Sequence, residues 1–135
     1  MKILLDSTVL IDLLRANVEV QSRILQLRND GAIFFTSAIN MYEVRCGLSN
    51  AKKTPGNPAD ALAAIRSELD VLPFDEEAAQ CAAQIHIHLR SIGKPVDGLD
   101  YLVAGTAVSN GIDAVLTRNK KHFESIKGFK QVLTY

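Results

Sequence analysis

Short apolar runs alternate along the chain with longer stretches in which apolar residues recur at helical spacing. The runs at 2–5, 33–36, 71–73, 114–117 and 131–134 read as strands, and the stretches between them are long enough for crossover helices. This alternation is the signature of βαβ units. It predicts an α/β fold with a central, mostly parallel sheet of about five strands flanked by helices.

The helical stretches carry their own start and stop signals. The first begins at Ser7 or Thr8, both good N-caps, and places Val9, Leu10, Leu13 and Leu14 on one face before Asn17 interrupts it. The second repeats apolar residues at Val20, Ile24 and Leu27 and stops at Asn29-Asp30-Gly31. A third runs from Ser37 to Leu48. The segment 50–58, with two prolines, a glycine and two lysines, reads as an exposed loop that breaks the chain locally without marking a domain boundary. Further helices are predicted over 59–70, from about Asp75 to Ser91, and over 98–110, where Gly111 closes the last.

Composition narrows this picture. With 135 residues and 47% hydrophobic content, the chain fits one compact domain over 1–135, large enough to bury a core without a disulfide staple. Cys46 and Cys81 form no CxxC pair and fall inside helical apolar patterns, so they are expected to be reduced core thiols, as suits a reducing cytoplasm. Only three apolar residues separate Lys2 from Asp6, too few for a signal segment, and nowhere do 18 apolar residues run together. A soluble, cytoplasmic protein without membrane contact is expected. Fifteen basic and fifteen acidic side chains cancel, which argues against a general nucleic-acid coat protein but leaves room for a local basic patch.

Three acids change the picture more than composition does. Asp6 ends the first predicted strand, Glu43 lies in the helix after the second, and Asp100 opens the helix before the fourth. If those strands are adjacent and parallel, the three carboxylates converge at one sheet edge, where open α/β sheets place ligands. At an effective dielectric near 20, two charges ~5 Å apart repel by about 3 kcal/mol, so three pairs approach ~10 kcal/mol, comparable to the stability of a small domain. A bound Mg²⁺ or Mn²⁺ relieves that repulsion. Each acid also has a structural reading: Asp6 as a cap or turn residue, Glu43 as a solvated helix residue, and Asp100 as the third helical position of a capping box begun by Asp97.

Thr117-Arg118-Asn119 follows the fourth strand, and Asn119 either caps a short helix from Lys120 to Glu124 or completes a polar rim. Arg118, Lys120, Lys121, Lys127 and Lys130 face only Glu124 in this segment, which makes it either a solvated charged face or a phosphate contact. His86 and His88 are two apart on a predicted helix and cannot form the i, i+4 pair of zinc sites, whereas His122 remains a candidate substrate contact.

Four segments in this order, LLDSTVLIDLL over 4–14, TSAINMYEVRCGL over 36–48, DGLDYLVAGTAVSNGI over 97–112 and VLTRNKKHFESIKGF over 115–129, resemble the PIN-domain ribonucleases. Within them the resemblance is closest to VapC-type toxins of toxin–antitoxin pairs. It implies a three-layer PIN-like domain and a Mg²⁺- or Mn²⁺-dependent endoribonuclease in which Asp6, Glu43 and Asp100 hold the metal and carry catalysis. It also implies an RNA substrate, with Ser7, Thr8, Thr117, Arg118, Asn119, Lys120 and His122 as candidate substrate contacts, together with a VapB-like antitoxin and a homodimer. The chain departs from the family pattern in one respect: where a fourth acid is common, at or shortly after the TRN turn, it has Asn119 and His122. That departure leaves open whether one or two ions bind, with Asp97 a conceivable substitute.

Two other classes compete. A receiver-like or phosphatase domain of the same α/β kind needs an acceptor Asp after its third strand or at position 8, where this chain has Leu72-Pro73-Phe74 and Thr8. A catalytically silent PIN-like module that only binds RNA or a partner is the remaining alternative.

Overall fold

The computed structural model describes residues 1–49 and 55–135. Five strands form one sheet: β1 (Lys2–Leu5), β2 (Ile33–Ser37), β3 (Asp70–Leu72), β4 (Ala114–Leu116) and β5 (Gln131–Leu133). All four pairings are parallel and the strand order is β3-β2-β1-β4-β5. The chain steps outward from β1 through β2 to β3, then crosses back to lay β4 on the other side of β1. The crevice at that reversal lies beyond the carboxyl ends of β1 and β4.

The period of two along the strands builds three layers. Ile3, Leu5, Phe34, Ala114 and Leu116 face one core, shared with Val9, Leu10, Leu14, Val20 and Leu62. Leu4 and Val115 face the other, with Leu89, Val103, Ala104, Ala107 and Phe123. The first core is covered by α1 (Ser7–Leu14), α2 (Val18–Asn29), α3 (Ala38–Leu48) and α4 (Pro58–Ser67); the second by α5 (Glu76–Ser91) and α6 (Gly98–Ser109). The helices α5 and α6 approach closely because Gly105 has no side chain. A Cβ there would stand 2.5 Å from the Ala78 carbonyl oxygen and 2.6 Å from the Ala82 methyl.

Several boundaries differ from the sequence expectation, each for a local reason. The fourth helix begins at Pro58, a residue suited to a first turn, with Asn57 capping it through bonds from the Ala59 and Asp60 amides. It ends at Ser67 rather than at Asp70, because Asp70 pairs with Phe35 in the sheet. Residues 55–57 of the predicted loop are bent and exposed, while 50–54 lie outside the described residues. Neither Ser7 nor Thr8 caps α1: the cap position is Asp6, whose side chain makes no capping bond. The capping box is also absent, since Asp97 occupies the cap position of α6 without a side-chain bond and Asp100 meets it only through its backbone amide. The cysteines are free, but they are not core residues: Cys46 is exposed and Cys81 half-buried. Among the described residues, no helix is long and apolar enough to cross a membrane.

Candidate functional site

Asp6, Ser7, Thr8, Glu43, Asp97, Asp100, Asn119 and His122 line one cavity of about 310 Å³, floored by Gly98 and Leu99. The local sequence explains why they meet. Asp6 is the first residue after β1, α3 begins directly after β2 and carries Glu43 on its second turn, and α6 starts with Asp97 in the cap position and Asp100 in its first turn. Three elements thus deliver the three acids to the same end of the sheet.

Asp6 is 5% exposed and its carboxylate is fully engaged. Oδ1 accepts from Asn40 Nδ2 at 3.1 Å and from Ser7 Oγ at 3.4 Å; Oδ2 accepts from Thr117 Oγ1 at 2.9 Å and from Thr8 Oγ1 at 3.1 Å. The hydroxyls are themselves anchored, because the Asn119 amide donates to Thr117 Oγ1 and the Arg118 amide to Thr8 Oγ1. Four donors from three places in the chain therefore fix the orientation of one carboxylate.

Glu43 stands beside it. Ser7 Oγ lies 3.1 Å from Glu43 Oε1 as well as near Asp6, so one hydroxyl links the two acids. Desolvation raises the Glu43 pKa, the bond from Ser7 opposes that rise, and the negative charges of Asp6 and Asp100 add to it. Asp100 is pushed up to about 6, first by desolvation and then by the charges of Asp6 and Asp97, against the opposing pull of His122. Its buried Oδ2 faces only His122 Nδ1, 3.0 Å away.

The remaining sequence candidates divide. Asn119 and His122 border the cavity, and Asn119 makes no side-chain cap to the short 3₁₀ turn Lys120–His122. Thr117 is fully buried and touches Asp6 rather than the cavity. The Arg118 guanidinium is turned to Asp12, with Nη1 3.0 Å from both carboxylate oxygens. Lys120 lies at the edge of a different hollow, beside Glu124 and Lys130, and Lys130 is paired with Asp113. His86 stacks on Tyr101 with ring centroids 4.1 Å apart.

Sequence reasoning missed Asn40, Asp12 and Tyr135. Asn40 was detectable: it stands three residues before Glu43, on the same helix face, and Ser37 fixes it by donating to its Oδ1. Asp12 is 3% exposed within an apolar helix, so it required a partner, and it has two in Arg118 and the Tyr135 hydroxyl at 2.7 Å. Nothing in the sequence marks Tyr135.

The donor set fits a hard divalent cation. It is rich in carboxylate oxygen, it includes a buried oxygen whose one neighbour is the His122 imidazole, and its burial raises the two acids that a cation would hold ionised. Asp6, Glu43 and Asp100 are the residues that would hold it.

The family model described as PIN domain matches residues 3–128. A "tRNA(fMet)-specific endonuclease VapC" of Shigella flexneri is 31% identical over 94 residues, 70% of each chain. The fold is similar to that in the crystal structure of VapBC2 from Rickettsia felis bound to a DNA fragment, with TM-score 0.85 and 19% identity over all of this chain and 99% of the other. It is also similar to that in DNA-bound VapBC from Salmonella typhimurium, with TM-score 0.76 and 29% identity over 99% of this chain and 98% of that one.

Proposed function

The chain belongs to the PIN-domain family, among its VapC-type members, and on that premise we propose that it is a divalent-metal-dependent endoribonuclease, the toxin of a toxin–antitoxin pair, acting in the cytoplasm. The observation that carries this reading is the convergence of Asp6, Glu43 and Asp100 on one cavity of about 310 Å³. Desolvation and then the negative charges of this cluster raise the pKa of Glu43 and Asp100, and a bound cation would relieve that repulsion.

Bound Mg²⁺ or Mn²⁺ supplies Lewis-acid polarisation of the scissile phosphodiester and offsets the charge that builds on it. Asp6 and Asp100, with Glu43 beside them, would hold the ion. Asn40, Ser7, Thr8 and Thr117 keep Asp6 in position for that task. Glu43, oriented by Ser7, would accept a proton from the attacking water as the water oxygen bonds to phosphorus, the opposite P–O ester bond breaks, and the departing oxygen takes a proton from solvent. The backbone amides of the first turns of α1 and α6, with Ser7 and Asn119 beside them, receive the phosphate oxygens. The cavity also suits an arginine from a small VapB-like antitoxin, whose planar fork pairs with carboxylates. The same reading includes a homodimer.

Asp6→Asn and Asp100→Asn are expected to lower RNA cleavage by at least about a hundredfold, the scale for loss of a group acting in the transition state, while circular dichroism stays native. Cleavage should stop in EDTA and return with Mg²⁺ or Mn²⁺. Undiminished cutting by either variant, or cutting in EDTA, would overturn the reading; RNA binding without any cleavage would favour the silent binding module.

A further inference from the structure

Asp97, Asp100 and His122 each offer a ligand atom, and these three atoms lie within 4.8 Å of one another. Their spacing has a specific meaning. On an octahedral ion with bonds of about 2.1 Å, neighbouring ligands sit ~3.0 Å apart and opposite ones ~4.2 Å. His122 Nδ1 and Asp100 Oδ2 are 3.0 Å apart, the separation of two neighbouring ligands.

A second observation points the same way. Asp100 is 8% exposed, and the oxygen it turns to the imidazole has no partner other than that imidazole. Asp97 sits at the helix cap position yet leaves its carboxylate uncommitted to the helix. The His122 side chain is 41% exposed, which leaves the position open to solvent, so that water can complete the coordination shell.

We propose that Asp97, Asp100 and His122 form a mixed nitrogen–oxygen cation position, sharing Asp100 with the Asp6–Glu43–Asp100 cluster, and that its imidazole makes this protein prefer Mn²⁺ over Mg²⁺. The proposal rests on the metal-dependent reading above and deepens it. Mg²⁺ takes oxygen ligands and gives up its water reluctantly, whereas Mn²⁺ accepts an imidazole nitrogen more readily. A carboxylate in place of His122 removes that distinction.

The test is Mn²⁺ binding to the intact chain, followed by loss of the free-ion electron paramagnetic resonance signal, with pulsed measurements for nitrogen coupled to the bound ion. Wild type is expected to bind Mn²⁺ with a ¹⁴N coupling, and to bind it at least about tenfold more tightly than Mg²⁺ in competition, the scale on which single-ligand changes act. His122→Asp should abolish the coupling and bring the two affinities together, and Asp97→Asn should weaken Mn²⁺ while leaving the fold intact by circular dichroism. Bound Mn²⁺ without nitrogen coupling, released by Asp6→Asn but indifferent to His122→Asp, overturns this inference and leaves the metal-dependent nuclease standing; His122 is then only the ion-pair partner of Asp100. No Mn²⁺ or Mg²⁺ binding by wild type overturns both.

Discussion

Asp6 illustrates how much protein is needed to aim one carboxylate. Its two oxygens take four donors, and the strongest contact by distance comes from Thr117, 111 residues away. Thr117→Val keeps the shape and removes that donor, leaving Asp6 Oδ2 with Thr8 alone. Because Thr117 is fully buried and does not face the cavity, the expected result is a tenfold to hundredfold loss in metal affinity, measured by calorimetry, with about 1–2 kcal/mol lost in denaturant unfolding. An unchanged affinity would mean that the ring of hydroxyls only fills space. Asp100 carries the pH dependence. Its folded pKa of about 6 lies above the ordinary carboxylate value of 3.8, so the native state binds this proton more tightly than the unfolded chain does. The resulting stabilisation is fully present below about 3.8 and is lost as pH rises through about 6; Glu43, also raised, acts with the same sign. The metal-free protein should therefore gain stability relative to Asp100→Asn as pH is lowered from 7 to 5. Divalent-ion affinity should fall over the same interval, because proton and cation compete for the carboxylate.

Helix pairs and strand ends set the frame within which such side chains act. The strut from Arg118 to Asp12 ties the turn after β4 to α1, and Tyr135 closes on the same carboxylate from the far end of the chain. Arg118 thereby presents its backbone amide to Thr8, one of the four donors' own anchors, so the turn and the first helix hold Asp6 as a unit. On the other face, the contact between α5 and α6 depends on Gly105. Gly105→Ala would press a methyl group against the Ala78 carbonyl and the Ala82 amide and methyl, and backbone atoms cannot swing aside as a long side chain can. A loss of about 3 kcal/mol is expected, seen as a lower denaturation midpoint. A neutral result would show that α6 can shift on α5, and Asp100 with it.

For the protein as a whole, the cost of gathering acids at one end of the sheet links metal binding to folding. An ion that binds only the native state, at a hundred times its dissociation constant, stabilises by about 2.7 kcal/mol. Saturating Mg²⁺ or Mn²⁺ should accordingly raise the thermal midpoint by several degrees, and Asp6→Asn should erase most of that rise. No shift on adding either ion would disconnect the acids from metal.

The layered α/β plan was legible because it is written in short-range signals. The short apolar runs Ile3-Leu4-Leu5 and Ala114-Val115-Leu116, the Asn29-Asp30-Gly31 stop and Gly111 each act over a few residues, and they predict strands and helices within a few positions of those observed. The gathering of Asp6, Glu43 and Asp100 was legible at one remove, since parallel strands put the residues that follow them at the same edge. Side-chain commitments were not. That Ser7 and Thr8 turn to Asp6 instead of capping α1, that Asp97 forms no capping box with Asp100, and that Arg118 is taken by Asp12, 106 positions away, are outcomes of competition among donors and acceptors in the folded chain. Local pattern determines which elements form, because helix and strand are bonded within or beside themselves; the partner of each polar side chain is decided only when folding has removed water and left the nearest available donor to take its place.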